Sequence, residues 1–285
     1  MTSSDQLPLK VPGIRVRLAE TAEEILAAQR LRYKVFYEEF GAKATPEMAA
    51  QQRDFDEYDA VTDHLIVIDD TNPNEESQIV GTYRLLRSAK LPSSMSFYTS
   101  HEFDISSLLK SGGNLLELGR SCVMPEYRTR PVLQLLWQGI TGYFHNFKID
   151  LLFGCASLPG TDVDKVAEQL SYLYHFHRAP DELCPVVLPK VGVSMNILPR
   201  EQIEPRARQI FSDLPPLIKG YLRVGCHIGN GAYIDKQFNT IDVCIVLPTE
   251  RMAEKYLKHY NRENNKSVGE SYEFSVSHQP EASTT

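Results

Sequence analysis

Apolar residues along this chain recur in two rhythms. One is alternating or continuous, as in strands; the other returns every third and fourth position, as in helices. Ile14–Leu18 alternates apolar with basic residues and predicts a first strand. Thr21 and Glu24 have capping-box spacing, and the stripe Ile25, Ala28, Leu31, Val35, Phe36 predicts a helix ending near Gly41. A short helix is expected over Pro46–Arg53. His64–Ile68 and Ile79–Leu86 are apolar runs joined by a polar turn, which predicts an antiparallel hairpin. Lys90–Asp104 follows neither rhythm and reads as irregular, before a short helix over Ile105–Leu109.

The central stretch is strand Leu115–Val123, a basic turn, and helix Pro131–Phe147, with proline at a favoured first position. Leu151–Leu158 predicts another buried strand and Asp162–His175 a helix. Cys184–Leu188 and Val191–Leu198 are short strand candidates, and Glu204–Phe211 and Leu217–Val224 are helical. Ile241–Leu247 is a late strand, and Thr249 caps a terminal helix to Tyr260. This order lacks strict βαβ alternation and predicts an α/β (α+β) fold, a mixed sheet flanked by helices with an antiparallel front half. One domain is expected over 14–260, its core reaching about 198 and a C-terminal extension covering 199–260. Residues 1–13 and 261–285 read as flexible tails.

Length and charge narrow the class. A chain of 285 residues can bury a sizeable core. A net charge of -7 argues against a general nucleic-acid binder. No apolar run is long enough for a bilayer, and no secretory leader is evident. Five cysteines without a CxxC pair predict reduced thiols in the cytoplasm.

The candidate chemistry lies in charges placed where charge is costly. Glu117 and Arg120 interrupt an apolar strand, and Arg84 interrupts a neighbouring one. Three residues apart, Glu117 and Arg120 face opposite sides of a regular strand; a bulge at Gly119 would bring them to one side. Arginine suits bidentate binding of carboxylate or phosphate. In the acidic loop, Asp54 is expected in solvent, while Asp56 and Asp59 either receive a cationic amine or orient Arg32. Cys122 reads as a core residue rather than a nucleophile. His64, His175 and His177 lack a matching ligand set, so no metal site is expected. The Leu217–Val224 helix reads as a packed helix, with a membrane or carrier contact as the other reading.

Four spacings occur in order: Arg32-x-x-x-Phe36, Asp56-x-x-Asp59, Gly81-x-x-Arg84-Leu-Leu and Glu117-Leu-x-Arg120. Together they resemble the acyl-homoserine-lactone synthase branch of the GNAT (N-acetyltransferase-like) fold. LRYKVFYEEFGA, FDEYDAVTDHLIV, LELGRSCVMPEYRTRPVLQLLWQGI, PPLIKGYLRVG and FNTIDVCIVLP resemble more closely the L-ornithine Nα-acyltransferases of ornithine-lipid synthesis, sometimes labelled hemolysin-like.

That resemblance implies transfer of a 3-hydroxyacyl group to the α-amine of L-ornithine, giving lyso-ornithine lipid. It implies Glu117 as base and Arg120 as anchor. Arg32, Phe36, Asp56, Asp59 and Arg84 then belong to the acceptor and acyl site. Coenzyme-A-dependent relatives of the fold carry a glycine-rich turn after the central strand. Here that turn is Arg128-Thr-Arg130-Pro131-Val132-Leu133, without glycine. Its arginines, with Lys148 as an added candidate, suit the single phosphate of a phosphopantetheine arm, which points to an acyl carrier protein as donor. No cofactor is expected. Location is expected to be cytoplasmic, with possible peripheral contact at the inner membrane. Three alternatives remain open: a lactone synthase, an N-acyltransferase for another amino acid such as glycine, and a non-catalytic membrane-acting protein.

Overall fold

The computed structural model describes residues 11–74 and 78–249, with the backbone alone at Arg130. In chain order the elements are β1 (Ile14–Leu18), α1 (Ala22–Tyr33), α2 (Pro46–Gln51), β2 (Asp63–Asp69), β3 (Ile79–Arg87), β4 (Phe103–Asp104), α3 (Ser106–Lys110), β5 (Leu115–Val123), α4 (Arg130–Asn146) and β6 (Leu151–Pro159). They continue through α5 (Ala167–His177), β7 (Val186–Val187), β8 (Gly192–Val193), α6 (Arg200–Ile203), α7 (Ala207–Asp213), α8 (Pro216–Val224), β9 (His227–Ile228), β10 (Ala232–Asp235) and β11 (Thr240–Pro248).

One mixed sheet runs β1-β2-β3-β5-β6-β11-β10-β8, with β9 beside β11. The front half is antiparallel, as the sequence predicts; β5 and β6 are parallel. Late strand β11 pairs with β6 over nine positions, Thr240–Pro248. The part after 198, expected as an extension of the one domain, shares its sheet and core: β11 lies inside the sheet and α8 buries Ile218, Tyr221 and Leu222 in the main core. That burial also decides for the packed-helix reading of Leu217–Val224. The short strands expected at 184–188 and 191–198 shrink to two residues each. The terminal helix expected over 249–260 lies, apart from Thr249, outside the described residues.

The capping box forms as expected, with Glu24 N–H donating to Thr21 Oγ1 at 3.2 Å. Beyond Tyr33 the helix loosens into a π-turn over Lys34–Glu39, closed by Phe40 N–H donating to Val35 O at 3.1 Å. Such turns often accompany functional sites.

One sheet face packs on α4, α5 and α8. The other is covered in two patches. α1 lies over Ile66, Ile68, Ile79 and Cys122; the 97–108 segment lies over Leu115, Leu151, Phe153, Cys244 and Val246. The polar groups of interest lie on this second face.

Candidate active site

The site begins with a break in β5. Between Arg84↔Gly119 and Thr82↔Cys122, three steps on β5 match two on β3, so β5 carries one extra residue. The residue that turns is Arg120, with φ +48°. The expected bulge therefore exists, one residue beyond Gly119. Leu115 and Cys122, seven apart, both lie on the second face. A regular strand would point them to opposite sides. The same shift brings Glu117 and Arg120 to one side. β5 and β6 pair only at Leu115–Glu117 with Leu151–Phe153; their ladder ends where the bulge approaches.

Behind Arg120 is a buried lattice of three arginines and three aspartates. Arg32, fully buried, donates to Asp54 Oδ2 at 2.7 Å and to Asp59 Oδ1 at 2.8 Å. Arg84 is bonded to Asp56, and its Nη1 is 3.6 Å from Asp59 Oδ2. Arg120 donates to Asp54 Oδ2 at 3.2 Å and to Asp56 Oδ2 at 3.1 Å. Tyr37 adds its hydroxyl to Asp54 Oδ1 at 2.9 Å, and His64 Nε2 is 3.1 Å from Asp59 O.

The expectation that Asp54 is solvated is thus wrong. It is 1% exposed, because three arginines facing one another need three carboxylates. Burial would raise its carboxyl, but Arg120, Arg32 and Arg84 overcome this and hold it at about 2. Asp56 is lowered too: burial pushes upward, and Arg84 with Arg120 outweigh it. Asp59 is spent on Arg32 and on the backbone N–H of Asp56, at 3.0 Å. Of the two roles left open by the sequence, the geometry places Arg32, Arg84, Asp56 and Asp59 in the ion lattice.

In front of the lattice Arg120 lies between two rings, its guanidinium 5.0 Å from Tyr98 and 4.7 Å from Phe238. Phe36 meets Phe238 edge-on at 5.8 Å. Phe238 sits in the β10–β11 hairpin, so that hairpin roofs the site. Glu117 is 5% exposed and accepts the backbone N–H groups of Tyr98 (3.0 Å) and Thr99 (2.6 Å). Burial nevertheless raises its carboxyl above the ordinary range.

A third group was not singled out from the sequence. Glu102, Asp235 and Asp242 bring carboxyl oxygens within 4.8 Å of one another, all buried, on the same face. Burial first, then Asp242, pushes Glu102 up to about 8. Asp242 rises to about 6, again chiefly through burial. Cys155 Sγ donates to Glu102 Oε2 at 3.1 Å.

Cys122 is buried with its thiol pushed up to about 12, consistent with the core reading. Arg128 is held bidentately by Glu39, both contacts 2.6 Å, and donates to Val123 O. The Arg130 side chain lies outside the described residues. Lys148 follows the far end of α4, a helix of 17 residues and about 25 Å at 1.5 Å per residue. It cannot share a patch with Arg128.

A family model described as an acetyltransferase (GNAT) domain matches residues 31–138. An L-ornithine N(alpha)-acyltransferase of Brucella abortus (strain 2308) is 45% identical over 262 residues, 91% of this chain and 92% of the relative. A protein of that name from Rhizobium meliloti (strain 1021) is 44% identical over 254 residues, 88% of this chain and 85% of the relative. Among solved structures, the AHL synthase LasI is 12% identical, with 95% of this chain and all (100%) of that chain covered at a TM-score of 0.43.

Proposed function

We propose, since the chain belongs to the L-ornithine Nα-acyltransferase family, that it acylates the α-amine of L-ornithine with a 3-hydroxyacyl group from an acyl carrier protein, making lyso-ornithine lipid. The carrying observation is the likeness of 45% over nine-tenths of the chain to a relative of that name. The site's chemistry agrees with a dibasic acceptor: its three lattice arginines are neutralised, and uncompensated carboxyls remain beside them.

The reaction is aminolysis of a thioester. The α-ammonium gives a proton to Glu117, whose carboxyl burial raises above the ordinary range, so that it takes up a proton more readily than a solvated glutamate. The amine nitrogen then attacks the acyl carbon, the C–S bond breaks, and the carrier thiolate leaves and takes up a proton. The strand break at Arg120 turns backbone N–H groups out of the ladder, where they support the oxyanion. Arg120 faces the acceptor's carboxylate, and Phe36 lines the acyl path. The thioester itself supplies the activation, so no cofactor enters.

We assign the phosphopantetheine phosphate to the turn holding Arg128 and Arg130, where it would displace the Glu39 carboxylate from the Arg128 guanidinium. Arg128→Ala should raise the KM for carrier thioester about tenfold, while a short soluble thioester is used at its former rate. Because carrier thioesters are cytoplasmic and the product is amphiphilic, we place the enzyme in the cytoplasm, touching the inner membrane peripherally. No helix among the described residues is long and apolar enough to cross a membrane.

The test is mass analysis of products from purified enzyme, 3-hydroxyacyl carrier thioester and either L-ornithine or glycine. Acyl-ornithine is expected; exclusive acyl-glycine overturns the reading. Glu117→Gln should lose most turnover together with the acidic limb of the pH–rate profile. A slowed variant that keeps that limb would make Glu117 only the anchor of the Tyr98–His101 turn.

A further inference from the structure

We infer that Glu102, Asp235 and Asp242 form a receptor for the side-chain ammonium of a diamino-acid acceptor, and so select ornithine over amino acids without a second amine. This rests on the proposed function and deepens it by assigning the specificity subsite.

The first argument is charge. Arg32, Arg84 and Arg120 are matched one for one by Asp54, Asp56 and Asp59. Among the described residues none of the other three acids forms a salt bridge; Arg120, already paired, is the nearest cation that acts on them. They are only 3%, 7% and 5% exposed, in the order Glu102, Asp235, Asp242. Buried carboxylates without a partner cation are costly and are expected where a ligand supplies it.

The second argument is an empty acceptor. Asp242 Oδ1 is buried and meets no donor in hydrogen-bond geometry among the described residues; the hydroxyls of Ser157 and Thr240 beside its carboxyl are the donors it has. Its neighbours in the cluster are better supplied. Asp235 Oδ1 accepts from the backbone N–H groups of Gln237 (2.7 Å) and Phe238 (2.9 Å), and Glu102 accepts from Cys155.

The third argument is place. Asp242 stands opposite Ser157 on β6, and Ser157 is exposed, so solvent reaches this face of the sheet beside the cluster. Arg120, at the β5 break, acts electrostatically on both Glu102 and Asp242. One end of the acceptor therefore meets a guanidinium and the other a triad of acids. An ammonium offers three N–H donors to three carboxyls. A hard divalent cation would need bidentate carboxylates or added water to reach six oxygens, whereas an ammonium is matched by one oxygen from each acid.

The experiment compares kcat/KM for L-ornithine and L-norvaline, which has the same carbon chain without the second amine. Wild type should favour ornithine by about 100-fold or more. Asp242→Asn and Glu102→Gln should each collapse that ratio by at least tenfold, through the KM for ornithine. A purely structural defect would slow both amines and leave the ratio intact, which overturns the inference alone. Should either variant fail to fold, the wild-type ratio decides: equal use of norvaline and ornithine overturns the assignment. If chelation abolishes ornithine acylation and calcium restores it, the cluster is a metal site and the inference is wrong. If wild type acylates neither amine but accepts another, the proposed function fails and the inference falls with it.

Discussion

Asp54 shows how one residue's role depends on partners far away in sequence. Its Oδ2 accepts from Arg32, 22 residues before it, and from Arg120, 66 residues after it. From sequence it looks like part of an acidic loop, and nothing local distinguishes it from Asp70. Asp70 does pair with Arg15, but at a site where the two side chains are 43% and 51% exposed. Asp54→Asn leaves two buried guanidinium groups short of a counter-charge and should destabilise the protein by about 3–5 kcal/mol. Asp70→Asn should cause no measurable change, as expected for an exposed pair. Urea unfolding of the two variants checks this; equal midpoints would mean that the lattice is not a stability element. Asp242 carries a signal that sequence alone can show. A lone acid in the apolar strand Ile241–Leu247 is the same signal that singled out Arg84 and Glu117. Glu102 gave no such signal, because it lies in a segment with neither periodicity.

At the scale of elements, the strands and helices whose apolar rhythm is strong were readable almost to the residue. Ile14–Leu18 and Leu115–Val123 match their expected bounds. The break within β5 was one of two outcomes open to the sequence, since two charges three apart in one apolar strand share a side only if the strand bulges. What could not be read was which residue would adopt the left-handed conformation, because the neighbouring contacts of β3 decide that. The segment 90–104 is the larger omission. It has no rhythm, yet its backbone N–H groups at Tyr98 and Thr99 hold Glu117 in place. The junction of β5 and β6 is tight on its other side: a Cβ at Gly154 would lie 2.2 Å from Leu118 O. Backbone cannot yield as a side-chain tip does, so Gly154→Ala must push the two strands apart just above their three paired positions. A loss of about 2–3 kcal/mol is expected, with activity falling further than stability at a temperature where the variant remains folded. Unchanged kcat in such a folded variant would remove the β5–β6 junction from the reaction site.

For the whole molecule, the lattice aspartate Asp54 and the buried acids Glu102 and Asp242 act on stability in opposite directions. Asp54 is held at about 2 against an ordinary 3.8, so its contribution is fully present above pH 3.8 and is lost as pH falls through 2. That difference amounts to about 2 kcal/mol at 1.36 kcal/mol per pKa unit. Glu102, raised from 4.5 to about 8, and Asp242, raised from 3.8 to about 6, work the other way. The fold favours their protonated forms, so stability is greatest below pH 4 for these two and declines as pH rises towards 8. The two trends together put the stability maximum near pH 4, with a decline from there towards pH 8. A net charge of -7 also weakens the fold at high pH by self-repulsion, but that effect is spread over many groups and one neutralised side chain barely alters it. Glu102→Gln therefore separates the causes. It should raise the melting temperature at pH 8 and leave it nearly unchanged at pH 5, flattening the slope between them. Saturating L-ornithine should do the same for the wild type and much less for the variant, because a ligand that supplies the missing cation stabilises the state in which the cluster is ionised. Parallel slopes for wild type and variant would show that general charge repulsion, and not the buried triad, sets the alkaline side of the stability curve.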